Sequence, residues 1–525
     1  MVKKLAVLLL AMAMTFIAKP SDAVEFKIKG SWQFSFDYIN GGNFMGKYRN
    51  GKSTIGQQWS AVHQPRDEFE AIERMHFQLE AIASEQLSGT LLLELGESRW
   101  GNAAQGGALG ADSMLIKVKQ AYLDWQVPNL DLKFRMGLID LTLPGFAMDT
   151  PVLQDDVAGI VASYQFNDAF ATSAFWLRLL NDNWVQDSNT HYLDNFDLVG
   201  LTVPVTLDTL RLTPWGMGGY MGPNSLQTLF TPRPGGSVQF DVLATQVNPN
   251  QSIDGIQLRD GLYPAAFTSF RPTTSVLDDS YSSMWWAGLT GQWTWDPLRI
   301  SLDFAYGDVD HGRDYLRRQG WFAMLLAEYI LDWGTPGLYG WYFSGDDDDP
   351  HNGSERLPYL STVNNWPNSL STFGYRGNPI IGGGKGILGT NPTGTWGVGL
   401  RLKDMSFLDN LSHTLRFNFF GGTNSPTMAS YCTGRLATDS SGRTNYRNNT
   451  DFNSFGTYLT TDDTGLEINL DTTYKVYENL SLGLELGYIH LNLDEDTWGR
   501  FENMTSSSLN QKDAWKATVN VIYSF

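Results

Sequence analysis

The sequence is poor in cysteine, in charged residues and in long apolar runs. Its single cysteine among 525 residues, Cys432, excludes a disulfide framework and lacks the spacing of a zinc site. Charged residues make up 18% of the chain, less than the roughly 25% of an ordinary soluble domain. Lys and Arg number 37 against 56 Asp and Glu, a net charge of −19, and this acidic balance excludes a protein that binds nucleic-acid phosphates. The mean hydropathy of −0.25 excludes a bundle of membrane-spanning helices.

The first 23 residues are predicted to be a signal peptide for export. Lys3 and Lys4 precede an apolar run over 5–18, and Ser21-Asp22-Ala23 places small residues where a cleavage site needs them. The apolar run is too short to span a membrane. We therefore expect a mature chain of residues 24–525 that forms a single domain.

What the mature chain has in abundance is alternation of apolar and polar residues with a period of two. Over Glu25–Tyr38 every even position except Gly30 is aromatic or aliphatic, whereas every odd position is charged or polar. Successive side chains of a strand face opposite sides of a sheet, so this segment is predicted to be a strand with one apolar and one polar face. The same pattern recurs over 465–477, 480–490 and 514–525.

Along the whole chain, this pattern predicts eighteen strands. Most of them have the roughly 9–11 residues that a tilted strand needs to cross a bilayer. They cover residues 25–38, 68–82, 89–97, 116–127, 130–138, 157–165, 170–179, 196–205, 209–219, 284–295, 298–307, 320–329, 337–344, 394–403, 411–422, 465–477, 480–490 and 514–525. Alternation is weaker over 89–97, 196–205, 320–329 and 337–344, so sixteen strands is the alternative count.

Connections of two contrasting lengths join these strands. Tight links such as Pro128-Asn129 and Glu478-Asn479 alternate with long ones such as 220–283 and 345–393. This alternation is typical of a barrel with short turns on one rim and long loops on the other. Since lipid offers no hydrogen-bond partners, such a sheet must close. The predicted fold class is therefore all-β, a transmembrane antiparallel up-and-down β-barrel with short periplasmic turns and long extracellular loops. The alternative, a soluble β-sandwich, would need a separate cause for the alternation of short and long connections.

A barrel of this size leaves a water-filled lumen, so charges on the inward faces are candidate pore-lining residues. The basic candidates are Lys27, Lys29, Arg74, Lys133, Arg135 and Arg416. The acidic candidates lie in the predicted link 139–156 and are Asp140, Asp149, Asp155 and Asp156. By its position this link resembles the loop of general diffusion porins that folds inward and narrows the pore. We expect its acids to face the basic wall residues and create a transverse field; an ordinary surface loop is the alternative.

The loops carry most of the excess negative charge. Asp346, Asp347, Asp348 and Asp349 form the longest acidic run and are predicted to lie at the channel mouth. An acidic mouth concentrates cations, more strongly at low salt, so the sequence predicts a mild cation preference. We expect no cofactor, apart from loose binding of divalent cations by such acidic loops.

Several short motifs are similar to those of the homotrimeric outer-membrane porins of sulfate-reducing Gram-negative bacteria. The resemblance is carried by residues 24–30, 120–125, 136–145, 344–349 and 523–525. It implies a trimeric barrel, in contact with outer-membrane lipid and lipopolysaccharide, that passes small hydrophilic solutes passively. The terminal Tyr523 and Phe525 resemble the assembly signal that bacterial barrels present to their insertion machinery.

Two other function classes stay open. An outer-membrane barrel enzyme, of the protease or phospholipase type, would need Ser/His or Asp/His pairs at the outer rim, where His191, His311 and His351 are predicted to lie. A surface structural or adhesive barrel would use its loops and not its lumen. Gly382–Gly386 is not a phosphate-binding loop, because it lacks the Ser or Thr and the strand-to-helix context of that motif.

Overall fold

The computed structural model describes residues 24–40, 68–103, 107–110, 116–181, 195–222, 258, 261–265, 281–360, 391–432, 458–498 and 513–525. The predicted signal peptide lies outside the described residues. No helix within these ranges is long and apolar enough to cross a membrane.

The described chain is an antiparallel sheet that closes on itself. Its strands are β1 (Glu25–Asn40), β2 (Glu68–Ser84), β3 (Leu87–Arg99), β4 (Ile116–Gln126), β5 (Leu132–Thr142), β6 (Gln154–Asn167), β7 (Phe170–Asn181), β8 (Asn195–Thr202), β9 (Val205–Thr206), β10 (Leu210–Met221), β11 (Ser282–Trp295), β12 (Leu298–Asp310), β13 (Arg318–Tyr329), β14 (Thr335–Phe343), β15 (Thr395–Leu408), β16 (Leu411–Gly422), β17 (Thr464–Tyr477), β18 (Leu480–Asn492) and β19 (Ala514–Ser524). A 3₁₀ turn (Asp314–Leu316) and the short helices α1 (Pro426–Cys432) and α2 (Glu495–Trp498) lie in the connections.

The number of crossings is eighteen, because β8 and β9 are two parts of one crossing. Both pair with β10 on one side and with β7 on the other. β1 pairs with β2 and also with β19, and this last contact runs from Ser31 opposite Ser524 to Asn40 opposite Trp515. The predicted all-β closed barrel of eighteen strands is therefore confirmed, and the count of sixteen is wrong. All four segments with weak alternation are strands.

The connections fall on two rims, as predicted. Two-residue turns such as Glu85-Gln86 and Glu478-Asn479 lie on the same rim as the start of β1 and the end of β19. In the described turns Asn129 and Asn410 adopt a left-handed backbone, with φ of 61° and 64°, a conformation that Asn tolerates better than most residues. The other rim carries the long loops.

The predicted link 139–156 has the wrong bounds. β5 and β6 both extend into it, because backbone pairing continues through Asp140 opposite Asp156. Asp140, Asp155 and Asp156 therefore lie on strands, and the loop is only 143–153. The acid at 140 interrupts the apolar face of β5, which is why alternation alone ended the strand too early.

The outer face of the sheet is apolar and bordered by aromatic rings. Pairs of exposed rings lie eight residues apart on the same strand, as in Trp285 and Trp293 of β11, or Trp515 and Tyr523 of β19. Eight residues of a tilted strand rise about 20 Å, close to the height of the apolar band of an outer-membrane barrel.

The hydrophobic core lies inside the barrel, in its loop-side half. The inward face of β7 to β14 carries buried apolar side chains, among them Phe175, Trp286 and Met324. They belong to the same cluster as buried loop residues such as Val152 and Leu357. One sector of the inner wall is therefore covered by loops, and water-exposed charges are found elsewhere on the wall.

Candidate pore and its constriction

The loop between β5 and β6, residues 143–153, folds into the lumen, and we call it the constriction loop. The backbone N–H groups of Phe146, Ala147 and Met148 donate to the carboxylate of Asp303 at 2.9, 2.7 and 2.9 Å. Asp303 is on the inward face of β12, five crossings further round the barrel than β6. The loop therefore reaches across a sector of the lumen instead of standing above the rim.

The Asp303 carboxylate suits this anchoring role. It is 3% exposed, and consecutive N–H groups that converge on an anion form a favourable binding concavity. Hydrogen bonds to an ionised acceptor are roughly twice as strong as neutral ones. At the two ends of the loop, Leu143, Val152 and Leu153 are buried in the core. The loop is therefore held by apolar packing at its ends and by the Asp303 carboxylate at its tip.

An arginine, a lysine and a histidine surround one carboxylate on the inward face of β2, β3 and β4. Arg74 Nη1, His76 Nε2 and Lys117 Nζ lie 3.4, 3.0 and 3.1 Å from the carboxylate of Glu94. The Glu94 side chain is 5% exposed, whereas those of His76 and Lys117 are 28% and 27% exposed. The water-facing surface of this cluster is therefore positive.

The same arrangement repeats on β4 and β5, nearer the short-turn rim. Arg135 binds Asp124 through Nε and Nη2 at 2.8 and 2.9 Å, and Lys133 Nζ lies 2.9 Å from the same carboxylate. The Arg135 guanidinium lies over the Tyr122 ring, 4.2 Å from its centroid. Here too the cations are more exposed than the acid that they share.

The remaining basic candidates are spread along the wall. Lys27 and Lys29 are exposed on the inward face of β1 at its short-turn end, and Lys27 Nζ is 3.8 Å from a Glu25 carboxylate oxygen. Arg416 on β16 forms an ion pair with Asp471 on β17. The structure thus places all six basic candidates on the inner face, although it does not gather them into one site.

The structure places the four acidic candidates on β5, on β6 and on the constriction loop. Asp140 and Asp156 lie at outward positions, because their neighbours Ile139 and Val157 are buried in the core. Asp156 binds Lys119 Nζ at 2.9 Å and accepts a hydrogen bond from Gln120 Nε2 at 3.1 Å.

The other two acids lie on β6 and on the constriction loop. Asp155 Oδ1 accepts a bond from the N–H of the next residue at 2.8 Å, and Asp149 is exposed on the constriction loop. The transverse field between these four acids and the basic wall stays a prediction.

The predicted acidic mouth also needs a correction at its first residue. Asp346 is 3% exposed and accepts hydrogen bonds from Ser354 Oγ and from Tyr458 Oη, the latter at 2.7 Å. Burial and the nearby Asp346 charge raise the pKa of Tyr458 well above its usual value. Asp346 therefore joins two loops, and only Asp347–Asp349 remain exposed.

Two buried arginines extend this joining of loops. Arg356 donates to the Thr393 carbonyl at 2.8 Å and lies over the Tyr458 ring. Arg318, at the start of β13, donates to the Tyr263 and Leu357 carbonyls at 3.1 and 3.0 Å. The loop-side end of the barrel is therefore cross-linked by charged groups that water does not reach.

Of the three histidines at the predicted outer rim, His311 is buried. Its Nδ1 is 2.7 Å from Ser282 Oγ, its Nε2 is 3.1 Å from the Leu262 carbonyl oxygen, and its ring stacks on Tyr263 at 4.0 Å. Burial lowers the pKa of His311 to about 4. In this Ser/His pair the histidine Nε2 is bound to a backbone carbonyl, and the pair is buried away from any substrate. It is therefore a structural contact.

The other two histidines are His351 and His191. His351 is exposed and pairs with Asp349 at 3.3 Å, while His191 lies outside the described residues. Within the described ranges, no group of three or more His, Cys, Asp or Glu side chains is placed to hold a metal ion.

Sequence reasoning missed several residues that the structure makes important. Alternation identifies Asp303 as an inward acid, but nothing in the sequence indicates that the constriction loop would dock on it. Lys117 and the ion pair between Arg401 and Glu328, at 2.6 Å, also occupy inward positions. Their partners depend on register between neighbouring strands, which period-two patterns do not determine.

Comparisons with known proteins give only distant similarities. No protein-family model matches the chain, and no curated protein matches it. Among solved structures it is similar to OccK11 (OpdR) of Pseudomonas aeruginosa, at 12% identity and a TM-score of 0.47, over 95% of this chain and 96% of that chain. OccAB3 of Acinetobacter baumannii matches at 10% identity and a TM-score of 0.47, over 95% and 99% of the two chains. OpdK of Pseudomonas aeruginosa, whose structure was solved with vanillate, matches at 10% identity and a TM-score of 0.45, over 95% and 98%. Similarities this low do not indicate what this chain does.

Proposed function

We propose that this chain is a porin of a Gram-negative outer membrane, a water-filled channel through which small hydrophilic solutes and ions diffuse passively. The observation that supports it most is the closed sheet, with an apolar outer face about 20 Å high and an inner face with water-exposed charges. Closure matters because a sheet with an unpaired edge cannot lie in lipid. The signal peptide predicted over 1–23 supports export of the mature chain, 24–525.

The constriction loop supports a narrowed passage and not an open tube. Its attachment to Asp303 covers the apolar sector of the inner wall and leaves the charged sector of β2 to β5 for water and solute. A solute that passes there meets Lys117, Lys133 and Arg135, whose side chains are 27%, 46% and 36% exposed. Such a wall favours polar solutes, because apolar solutes form no favourable interaction with its charged side chains.

We further propose a mild cation preference that comes from the mouth. The exposed carboxylates of Asp347–Asp349 concentrate cations before they enter, and loose binding of divalent cations there follows from the same charge. The exposed cations of the β2 to β5 wall oppose this preference, which keeps it mild. No resident cofactor and no catalytic activity are part of the proposal.

Assembly is proposed to involve the C-terminal strand. Phe525 and Gly30 exchange two backbone hydrogen bonds, at 2.9 and 3.0 Å, across the seam that closes the barrel. Tyr523 and Phe525 expose their rings on the outer face, where the insertion machinery would find them. Lipid and lipopolysaccharide are the proposed surroundings, and a homotrimer is the proposed assembly.

Planar-bilayer recording of the purified mature protein tests the proposal. We expect stepwise, ohmic conductance and a reversal potential in asymmetric salt that indicates a small excess of cation current. Protein that inserts stably in the bilayer and gives no steps would contradict a porin and favour an adhesive or structural barrel. Lipase and protease assays of the same preparation, with His311→Gln as the matched variant, test the enzyme alternative, and activity lost in the variant would revive it.

A further inference from the structure

Each of the eight short turns of the barrel carries one acidic residue and no lysine or arginine. The turns are residues 85–86, 127–131, 168–169, 207–209, 296–297, 330–334, 409–410 and 478–479. Their acids, which we call the rim acids, are Glu85, Asp131, Asp168, Asp208, Asp296, Asp332, Asp409 and Glu478. Because a short turn joins every second pair of neighbouring strands, these carboxylates are distributed around the whole short-turn rim.

The rim acids are not neutralised by basic partners. All eight residues are exposed, and none of them forms an ion pair within the described part of the chain. Two lysines close to the rim are paired with strand acids instead, Lys133 with Asp124 at 2.9 Å and Lys403 with Asp404 at 3.6 Å. Each rim acid therefore presents its negative charge to water.

Turn chemistry does not account for an acid in every turn. Aspartate favours turns because its side chain can bond to its own backbone, but Glu85 and Glu478 are of a type without this preference. Two of the turns are closed by other side chains: Ser84 Oγ and Asn167 Oδ1 accept from the N–H two residues further on, at 3.2 and 2.9 Å. The property that all rim acids share is their charge.

Basic residues at the strand ends offset only part of this charge. The three residues of each strand that lie nearest the short-turn rim include five cations and three further acids. They are Lys27, Lys133, Arg211, Arg299 and Lys475 against Glu25, Asp124 and Glu328. This excess of two cations leaves the rim with a net charge of −6.

The field of the rim reaches the channel axis only at low salt. Eighteen strands spaced ~4.8 Å apart and tilted by about 40° close into a ring of roughly 18 Å radius. Six charges at this distance, in water, enrich cations on the axis about 3.5-fold at ~0.01 M salt and about 1.5-fold at ~0.1 M. At ~1 M salt the charges are fully screened. The rim is therefore a source of field and not a binding site for a single ion.

We propose that the rim acids form a second cation-selective element of the channel, at the end opposite to the mouth acids Asp347–Asp349. Rings of acidic side chains select cations in other channels. The proposal rests on the proposed porin function and adds a property that the mouth alone does not give, a dependence of cation preference on which bath is dilute. A dilute bath on the short-turn side is enriched in cations by the rim acids, whereas a dilute bath on the loop side is enriched by the mouth acids.

Reversal potentials between a dilute and a concentrated bath test this proposal. The neutralised variant changes the six rim aspartates to asparagine and the two rim glutamates to glutamine. With ~0.01 M salt on the short-turn side, its cation-to-anion permeability ratio should fall at least about fivefold from the parent's. With the dilute bath on the loop side, the ratio should change much less. A control that exchanges Asp for Glu, and Glu for Asp, at the same eight positions keeps every charge and should match the parent.

A variant with Asp347–Asp349 changed to Asn, added from the same chamber, fixes the orientation, because its loss should occur with the dilute bath on the opposite side. Parental conductance steps at ~1 M salt show that each channel is intact, which separates failure of this proposal from failure of the porin. If the full variant does not fold, Glu85→Gln, Asp168→Asn, Asp296→Asn and Asp409→Asn together should still give a fall of at least about twofold. Parental reversal potentials in both arrangements, or a loss that does not depend on the dilute side, would overturn the proposal.

Discussion

Removal of the Asp303 carboxylate is expected to release the constriction loop and to widen the channel. In Asp303→Ala, the N–H groups of Phe146, Ala147 and Met148 lose their acceptor. A hydrogen bond to a charged group contributes about 1.5–3 kcal/mol. Because three bonds share one carboxylate and water replaces part of what is lost, we expect about 3 kcal/mol for the whole anchor. A change of this size alters the ratio of anchored to released loop by about 150-fold.

Single-channel recording measures the effect directly. Asp303→Ala should give a larger and noisier conductance than the parent at the same salt concentration. Ser301→Ala is the matched control, since it lies on the same face of β12 two residues away and its Oγ bonds to Gln292. Heat-modifiable migration on gels confirms that each variant is folded. A folded Asp303→Ala channel with parental conductance and noise would refute the idea that this anchor sets the width of the passage.

Three further predictions concern the mouth, the seam and the buried histidine. Neutralisation of Asp347–Asp349 to Asn should reduce the cation preference in reversal-potential measurements, more at low than at high salt. Asp346→Asn should lower the melting temperature and leave the cation preference unchanged. The reverse pattern would contradict the assignment of Asp347–Asp349 to the mouth and of Asp346 to the joining of loops. Gly30→Val should destabilise the barrel, because a Cβ at Gly30 would lie 2.6 Å from the His76 backbone carbonyl oxygen as well as 2.5 Å from the Phe525 ring. Gly89→Ala, whose Cβ has no neighbour closer than 3.9 Å, should melt like the parent. His311 is buried and neutral, with a pKa of about 4 in the folded protein against 6.5 in the unfolded chain. Because the unfolded chain binds the proton first, the free energy of unfolding should fall by about 3 kcal/mol as the pH drops from 6.5 to 4. An equal pH dependence in His311→Gln would show that other groups cause it.

Most of the fold could be predicted from the sequence because a lipid-facing wall imposes a simple rule on every strand. The outward residue must be apolar, so alternation over Glu25–Tyr38 or 514–525 identifies both the strand and its faces. The errors occur where that rule stops applying. β5 and β6 continue past Asp140 and Asp156, which are outward but charged, and backbone pairing extends beyond the apolar band.

The candidate site could be predicted only in part, for a different physical reason. Inward position follows from alternation, and Lys27, Arg74, Lys133 and Arg135 are indeed inward. Partners and burial depend on how loops fold back, and no periodic pattern encodes that. Asp346 looks like a mouth acid in the sequence, yet Ser354 and Tyr458 enclose it.

The division of the inner wall into an apolar and a charged sector explains why the constriction loop has two kinds of anchor. Apolar side chains on β7 to β14 would be costly to expose to a water-filled lumen, at about 25 cal/mol for each Å². The loop covers part of that surface, and Leu143, Val152 and Leu153 give it packing energy that is independent of Asp303. Loss of the carboxylate therefore frees the tip of the loop while its ends stay packed. For this reason the Asp303→Ala channel should fluctuate between widths and should not become a fully open tube.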